Sequence, residues 1–298
     1  MTSAGRFAPS PSGELHVGNL RTAILAWLFA RSTGRRFLLR VEDLDRARAG
    51  AEAGQLRDLA AVGVDWDGDI VRQTGRGTLY AKAIARLSAE GLTYECFCTR
   101  REIQEAPSAP HAPQGAYPGT CRNLTPAERE RKRAARPAAL RLRSAVTEAT
   151  VQDVLHGSYT GVVDDFVLRR NDGVTAYNLA VVVDDAEQGI DQVVRGDDLL
   201  PSTPRQAYLA SLLNMPVPEY AHVPLVLNAD GARLAKRDGA VTLADLARLG
   251  RSADQVRDGL LASLGLAPGP LGKVLGDFDP ASLAREPWVW PGAGQSGV

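Results

Sequence analysis

The sequence predicts an α/β fold built on a parallel sheet, and three consecutive segments near its start carry that prediction. Residues 5–8 begin a short strand, which Pro9 and Pro11 end in an extended turn. Over residues 18–34, apolar residues recur at helical spacing, and the segment RRFLLRVED then indicates a buried strand that ends in acidic residues. A strand, a loop, a helix and a second strand in this order are typical of a parallel α/β unit.

Length and composition limit the class of protein. The chain has 298 residues, of which 44% are hydrophobic and 23% charged, as is ordinary for one large or two moderate globular domains. The formal net charge of zero gives no global argument for nucleic-acid binding, although local patches stay open. We find no apolar run near the roughly 20 residues that span a bilayer, and no signal-peptide pattern. Three cysteines, an odd number, argue against a secreted disulfide framework, so we expect a cytoplasmic protein without membrane contact.

The middle of the chain differs in composition from the start, with a proline-rich segment followed by a basic one. We predict a second helix at residues 52–62, and a loop-rich insertion at residues 105–121, which hold four prolines and two glycines. Residues 125–136 predict a strongly charged helix with Pro126 at its first position. Residues 122–143 contain eight basic side chains against two acidic ones, which indicates a local positive patch able to contact phosphates. A solvated helix face explains these charges equally well.

The later part of the chain returns to the α/β core. The segment AYNLAVVVDDAEQGIDQVVRGDDLL predicts two strands joined by a turn, and helical patterns dominate from residue 204. Its acidic pairs favour turn and strand-end positions, with Mg²⁺ binding as the weaker alternative. These acidic residues are Asp184, Asp185, Asp197 and Asp198.

The segment PSPSGELHVGN places His16 at the mouth of the first predicted helix. A helix N-terminus offers unpaired N–H groups and partial positive charge, which suit a phosphate. Gly18 lacks a Cβ, so a ligand ring can lie flat against the backbone there, and Asn19 is the expected helix cap. A surface histidine in a proline-rich loop is the alternative.

The segment RLAKRDGAVTL, residues 233–243, forms a loop before a predicted helix. Lys236 on such a loop can reach a polyphosphate and stabilise charge as it develops. A solvated run of charges is the alternative.

The three cysteines suggest a metal site. Cys96 and Cys98 form a Cys-x-Cys pair, and Cys121 follows in the proline-rich loop. Thiolates at this spacing can hold one Zn²⁺ in a tetrahedral, structural site. The general choice for a fourth ligand is His111, and three buried thiols without metal are the alternative.

Together the two loop motifs resemble the nucleotide-binding signatures of class I aminoacyl-tRNA synthetases, with HVGN in place of HIGH and RLAKR in place of KMSKS. Four segments, the first of which contains HVGN, are similar to the glutamyl-tRNA synthetase catalytic core, namely GRFAPSPSGELHVGNLRTA, LLRVEDLDRAR, AYNLAVVVDD and VVRGDDLLPSTPRQ. The resemblance covers the chain from residue 5 to about residue 246. It implies a Rossmann-like class I catalytic domain with a zinc-containing insertion and a helical C-terminal part.

The resemblance also implies a division of the chain. Residues 1–94 and 173–203 would form the two halves of the catalytic domain, and residues 95–172 a zinc-binding, acceptor-type insertion. Residues 204–298 would form a helical stem-contact-like region that carries the KMSKS-like loop.

The resemblance assigns residues to roles. It places Arg6 and Tyr177 at the side-chain carboxylate of glutamate, Glu42 with Ala8 and Ser10 at the α-amino group, and Arg195 near the α-carboxylate. It makes His16 and Lys236 catalytic, and it makes Tyr117 the fourth zinc ligand. It also implies that ATP is bound by His16, Gly18, Asn19, Arg233 and Lys236.

Each role has a structural alternative. Glu42 could pair with Arg40 or Arg46, Tyr177 could be core, and Arg195 could pair with Asp197 or Asp198. Arg233 and Ala235 depart from the usual Lys and Ser of KMSKS.

Full glutamyl-tRNA synthetases carry a helical anticodon-binding region after KMSKS, whereas only residues 244–298 follow here. The resemblance is therefore closest to their shortened relatives, the glutamyl-Q tRNA(Asp) synthetases, which attach glutamate to queuosine in the anticodon of tRNA(Asp). It implies ATP with Mg²⁺, L-glutamate and the anticodon loop of queuosine-containing tRNA(Asp) as substrates, one structural Zn²⁺, and a monomer. Two alternatives stay open, a truncated glutamyl-tRNA synthetase that charges tRNA(Glu) and a non-catalytic tRNA-binding protein.

Overall fold

A computed structural model describes residues 3–45, 47–105, 116–234, 238–239 and 241–292. The helices are α1 (Val17–Ser32), α2 (Ala51–Ala61), α3 (Gly77–Ala89), α4 (Arg100–Glu105), α5 (Pro126–Ala135), α6 (Tyr177–Glu187), α7 (Thr203–Leu212), α8 (Leu243–Arg248), α9 (Ala253–Ala262) and α10 (Leu271–Val274). The strands are β1 (Ala4–Phe7), β2 (Arg36–Val41), β3 (Val71–Arg72), β4 (Thr93–Cys96), β5 (Ala139–Leu142), β6 (Glu148–Asp153), β7 (Gly157–Val162), β8 (Val167–Arg169), β9 (Ile190–Gly196), β10 (Glu219–Val223), β11 (Val226–Leu227) and β12 (Trp288–Val289).

The centre of the described chain is a seven-stranded sheet with the order β3-β2-β1-β9-β10-β6-β7. Every neighbouring pair in it is parallel except β6 and β7, which form an antiparallel hairpin. A second, antiparallel sheet has the order β4-β5-β8. The predicted α/β fold with a parallel sheet is thus confirmed. Because the carboxyl ends of parallel strands meet at one edge, the loops after β1, β2 and β9 lie together there.

The first helix is buried on most of its surface because it packs against the middle of the sheet. Leu20, Ile24 and Leu28 of α1 are fully buried in the main hydrophobic core, which also receives side chains from α9 and α10. Since α1 follows β1 directly, this packing fixes where the loop of residues 8–16 leaves the sheet. The predicted strand–loop–helix–strand start agrees with β1, α1 and β2.

One of the two strands predicted in AYNLAVVVDDAEQGIDQVVRGDDLL is wrong, because its first half forms helix α6. Residues 179–185 are all buried, and a continuous apolar run has the same appearance in a buried strand and in a buried helix. Gly189, with a φ of 68°, ends the helical segment in the left-handed conformation that favours glycine. The second half forms β9, as predicted.

The expectation of mainly helical structure after residue 204 is also incomplete. Strand β10 inserts between β9 and β6, so this part of the chain also contributes to the central sheet. Strands β6 and β7 join the same sheet from the segment predicted as the insertion. The central sheet therefore collects strands from all four predicted segments, and the division into four segments stays a prediction.

The charged helix predicted around residue 130 is present as α5. Thr125 caps it through a reciprocal capping box with Glu128, and Pro126 occupies its first turn. Its basic side chains are partly neutralised, since Arg133 pairs with Glu95 and Arg136 with Glu102. The positive patch is accordingly weaker than the count of basic residues indicates.

In the described residues, no helix is both long enough and apolar enough to cross a membrane.

A buried carboxylate on α6 joins this helix to α3 and to the segment between β3 and α3. The Asp184 side chain, fully buried, accepts hydrogen bonds from Gln73 Nε2 at 2.8 Å, Arg76 Nε at 2.5 Å and the Tyr80 hydroxyl at 2.9 Å. The expectation that Asp184 lies in a turn or at a strand end is wrong, because it lies within α6. Because its oxygens already serve protein donors, they are not arranged for Mg²⁺.

We expect Asp184→Ala to lower the free energy of unfolding by about 3–5 kcal/mol, since it leaves the Arg76 charge without its partner. Urea denaturation followed by circular dichroism measures this loss. Glu130→Ala is the control, because it removes an exposed partner of Arg133 and is expected to cost at most about 1 kcal/mol. Equal losses in the two variants would contradict the structural importance of the Asp184 cluster.

Candidate active site

A cavity of about 500 Å³ opens at the carboxyl ends of β1, β2 and β9. It is lined by every residue that the sequence assigned to glutamate or ATP within the described part of the chain. These residues are Arg6, Ala8, Ser10, His16, Gly18, Asn19, Glu42, Tyr177, Arg195 and Arg233. Lys236, with its neighbour Ala235, lies outside the described residues.

The predicted cap of α1 is corrected by the structure. His16 is the N-cap residue, and Asn19 is the third residue of the helix, joined to it in a reciprocal capping box. The Asn19 N–H donates to His16 Nδ1 at 3.3 Å, and the Asn19 side-chain oxygen accepts from the His16 N–H at 3.2 Å. Since Nδ1 accepts, the neutral imidazole carries its proton on Nε2.

Gly18 leaves room for the histidine ring. A Cβ at residue 18 would stand 3.0 Å from the His16 ring and 3.2 Å from the Val226 side chain. Both contacts are tighter than ordinary van der Waals separation, so a Cβ here would require the ring or the Val226 side chain to shift by a few tenths of an ångström. The glycine in HVGN therefore serves first to let the ring of the cap residue fold back over the helix start.

The two sequence motifs meet through the flanks of the second one. The Val17 N–H donates to the Val241 carbonyl at 2.8 Å, and His16 forms an isolated bridge with Thr242. Before the loop, Arg233 pairs with Asp198 at 2.5 Å. The segments on both sides of Lys236 are thus held beside the start of α1.

Two arginines and two acids form a buried ionic cluster at the base of the cavity. Asp185 Oδ1 accepts from Arg6 Nε at 3.2 Å and from Arg40 Nη1 at 2.7 Å. Arg40, which is 0% exposed, also contacts Glu42 at 3.3 Å. Of the alternatives for Glu42, the pair with Arg40 is therefore present. Asp185, like Asp184, serves protein donors.

Burial dominates the electrostatics of Glu42. Desolvation raises the pKa of Glu42 above its usual range, and the positive charges of Arg40 and Arg6 only partly oppose this. Tyr177, by contrast, is 40% exposed and is not a core residue. The cavity thus combines the Glu42 carboxyl group, whose pKa is raised, at its base with the exposed Tyr177 ring at its opening.

Arg195 is held from behind by neutral groups. Its Nε donates to His222 Nε2 at 3.0 Å, and Nη2 donates to the Thr203 hydroxyl at 2.8 Å. Its Nη1 faces the Tyr177 hydroxyl at 3.4 Å. The acids suggested as partners from the sequence are elsewhere, since Asp198 pairs with Arg233.

The three cysteines lie close together at the end of β4, whose last residue is Cys96. Their sulfur atoms all lie within 4.8 Å of one another, and Cys98 Sγ is 3.6 Å from Cys121 Sγ. Four ligands at 2.3 Å around one tetrahedral zinc ion would be about 3.8 Å apart. The Tyr117 hydroxyl stands 3.3 Å from Cys96 Sγ and 3.8 Å from Cys98 Sγ. The cluster could therefore hold a metal ion, whereas His111 lies outside the described residues.

The surroundings of the cluster favour a thiolate at Cys96, whereas the hydrogen bond to Cys96 and burial raise the pKa of Cys121. A hydrogen bond from the Cys121 thiol lowers the pKa of Cys96, and the Arg141 charge acts in the same direction. The Phe97 N–H donates to Cys121 Sγ at 3.5 Å. Thiolates, not thiols, bind metal ions.

Comparison with known proteins agrees with the geometry of the cavity. The model of the catalytic domain of class I tRNA synthetases (E and Q) matches residues 4–266. The chain belongs to this family. A glutamyl-Q tRNA(Asp) synthetase of Nocardia farcinica is 69% identical over 287 residues, which cover 96% of this chain and 92% of that relative. One of Cutibacterium acnes is 55% identical, over 89% of this chain and 76% of the relative.

The fold comparison points to the same family. A crystal structure of a glutamate tRNA ligase from Elizabethkingia meningosepticum, in complex with its amino acid, has a TM-score of 0.79 and 26% identity. The match covers 97% of this chain and 66% of that ligase. The predicted class I synthetase fold is confirmed, and the chain is a ligase related to the glutamyl-Q tRNA(Asp) synthetases.

The sequence did not predict the buried residues that position Arg195, either directly or through a neighbour. Asp153, Thr203 and His222 carry no motif, and the contacts of His222 join β10 to β6 and β9. The one available signal is a histidine within the alternating pattern of β10, which would suggest a buried polar partner for His222. From the sequence, mainly helical structure is expected in this part of the chain.

Proposed function

We propose that the enzyme activates L-glutamate with ATP and transfers it to queuosine at the wobble position of tRNA(Asp). The observation that carries this proposal is the single cavity lined by all ten described residues assigned to glutamate and ATP. The 69% identity to a relative named glutamyl-Q tRNA(Asp) synthetase supports the choice of acceptor.

The charges of the cavity match those of glutamate. A bound amino acid that has lost its water needs a partner for each of its three charged groups. Arg6 would pair with the side-chain carboxylate, with Tyr177 beside it, and Arg195 with the α-carboxylate. Glu42 would pair with the α-ammonium group, next to the loop of Ala8 and Ser10.

In the first step, an oxygen of the glutamate α-carboxylate attacks the α-phosphorus of ATP, and the bond to pyrophosphate breaks in line. The N-terminus of α1, with His16 and Asn19, would face the phosphates, and Gly18 would admit the nucleotide. Arg233 and Lys236 would approach from the second motif and stabilise the developing negative charge. Bound to ATP, Mg²⁺ would neutralise part of the phosphate charge. The chain needs no covalent nucleophile, because positioning and electrostatics carry the rate.

In the second step, a hydroxyl on the cyclopentene ring of queuosine attacks the glutamyl carbonyl. AMP leaves with the electrons of the broken anhydride bond, and the proton of the hydroxyl is released. The basic side chains of residues 122–143 that lack acidic partners would contact the anticodon-stem phosphates.

We assign a structural zinc ion to Cys96, Cys98, Tyr117 and Cys121. The spacing of their ligand atoms fits a tetrahedral site, and the ion would tie Tyr117 and Cys121 to the end of β4. The ion would supply structure only, since all four positions are taken by the protein.

We expect labelled glutamate, ATP and the enzyme to label tRNA(Asp) that contains queuosine, and an isolated anticodon hairpin that contains it. Filter binding of the labelled RNA measures this. Unmodified tRNA(Asp) is the matched control and is expected to stay unlabelled. Label on tRNA(Glu) alone would establish the truncated glutamyl-tRNA synthetase instead. Absence of glutamate-dependent pyrophosphate exchange would favour a non-catalytic binding protein.

We expect kcat/KM for glutamate, measured by pyrophosphate exchange, to fall as the pH drops below neutrality. The raised pKa of Glu42 means that it gains a proton at a higher pH than an ordinary glutamate, and the protonated form no longer pairs with the α-ammonium group. Glu42→Gln should lower kcat/KM about 100-fold at neutral pH and flatten the acid limb. The exposed Glu148→Gln is the control and should keep the wild-type profile. An unchanged acid limb in Glu42→Gln would refute this role.

We expect about one zinc ion per purified chain, measured by atomic emission, and less than half of that in Cys98→Ser. Tyr117→Phe should lose zinc to a chelator at lower concentration than the wild type. Tyr94→Phe is the matched control, because the Tyr94 hydroxyl binds Asp165 and not the sulfur cluster. Equal zinc retention in both tyrosine variants would remove Tyr117 from the ligand set.

A further inference from the structure

A buried histidine–aspartate pair lies directly behind the cavity. The side chains of His222 and Asp153 are both 0% exposed, and Nδ1 of the ring is 2.6 Å from Asp153 Oδ2. Neither side chain can touch a substrate. Any contribution to the reaction must pass through a neighbour that lines the cavity, and Arg195 is that neighbour.

The hydrogen bonds determine the state of the ring. Asp153 accepts from the backbone N–H groups of Leu155 at 2.9 Å, His156 at 3.0 Å and His222 at 3.1 Å. It is therefore an ionised acceptor, and His222 Nδ1 is the donor toward it. Nε2 of the neutral ring then offers its lone pair to Arg195 Nε at 3.0 Å. Burial and the Arg195 charge lower the pKa of His222, which agrees with a neutral ring.

The second anchor of Arg195 completes its orientation. Nη2 donates to the Thr203 hydroxyl at 2.8 Å, which can in turn donate to the Leu199 carbonyl at 3.4 Å. With Nε and Nη2 both bound to buried neutral acceptors, the guanidinium plane has one orientation. Its Nη1 edge then faces Tyr177 at the cavity.

The choice of a neutral acceptor has an electrostatic consequence. A carboxylate in direct contact would cancel much of the Arg195 charge, whereas imidazole fixes the guanidinium and leaves its charge in place. The Asp153 charge acts from the far side of the ring, where the interaction is weaker because it falls with distance. Arg6 differs, since its Nε contacts Asp185 directly.

A hydrolytic triad is the other chemistry that this geometry suggests. The Thr203 hydroxyl is 3.0 Å from His222 Nε2, in the order acid, histidine and hydroxyl. However, Thr203 is fully buried and its oxygen accepts from Arg195. A substrate carbonyl cannot reach it, so the arrangement holds an arginine and does not form a nucleophile.

We propose that Asp153 and His222 are positioning residues that hold Arg195 toward the α-carboxylate of the amino acid substrate without placing a carboxylate in direct contact with its guanidinium group. This inference rests on the proposed function, and it adds the residues that determine how strongly that carboxylate is recognised.

The test compares two amides at position 222. Glutamine places an oxygen as many bonds from Cα as Nε2 and can still accept from Arg195, whereas asparagine reaches only as far as Nδ1. Pyrophosphate exchange measures KM for glutamate, KM for ATP and kcat. Calorimetry measures the binding of L-glutamate and of its α-amide, which lacks the α-carboxylate charge.

We expect His222→Asn to raise KM for glutamate about 10–100-fold with KM for ATP unchanged, and His222→Gln to stay within about 3-fold of the wild type. His222→Asn should also reduce the preference for L-glutamate over its α-amide at least about 10-fold. Thr203→Val, which keeps the shape of the side chain, should raise KM for glutamate several-fold and provides the test where His222→Asn is too unstable to purify.

The outcomes separate the two proposals. An unchanged preference over the α-amide in His222→Asn, or in Thr203→Val where that variant replaces it, would overturn the positioning role. Equal increases in both KM values, with both amide variants alike, would do the same and leave a purely structural role. A wild-type enzyme that binds no glutamate would overturn the proposed function itself.

Discussion

The arrangement of the cavity depends on burying Arg40 at the end of β2. A fully buried guanidinium is stable only when it is paired, because removal of one partner leaves an uncompensated charge away from water. Asp185 and Glu42 supply that pairing, and Asp185 then also orients Arg6. The parallel sheet brings β1 and β2 to one edge. The need to pair Arg40 fixes the side chains of Glu42 and Asp185 at the base of the cavity.

The two arginines that line the cavity are held in different ways, with different electrostatic results. Arg6 shares the Asp185 carboxylate with Arg40, so part of its charge is balanced within the protein. Arg195 contacts an imidazole and a hydroxyl, so its charge is directed at the cavity. In the proposed function this makes Arg195 the stronger anion-binding group, since a carboxylate partner already offsets part of the Arg6 charge.

The start of the fold could be predicted from sequence because its signals are local. Pro9, Pro11 and the helical period mark a loop and a helix within a few residues of each other, and the cap at His16 differs from the prediction by only the roles of two partners. Helix α6 could not be predicted, since a fully buried apolar run has no period that separates helix from strand. The partners of Arg195 are as far as 27 residues away along the chain, and their pairing depends on the order of strands in the sheet.

Local caps and long-range bridges act together at the proposed nucleotide side of the cavity. His16 uses Nδ1 to cap α1, so its ring is fixed against Gly18 before any ligand arrives. The next residue, Val17, binds the Val241 carbonyl, which anchors the far end of the second motif to the same helix start. A displacement of the cap would therefore move both motifs at once. The histidine of HVGN thus has a structural reason for its place that is independent of phosphate binding. The same constraint delivers its Nε2 proton in one defined direction.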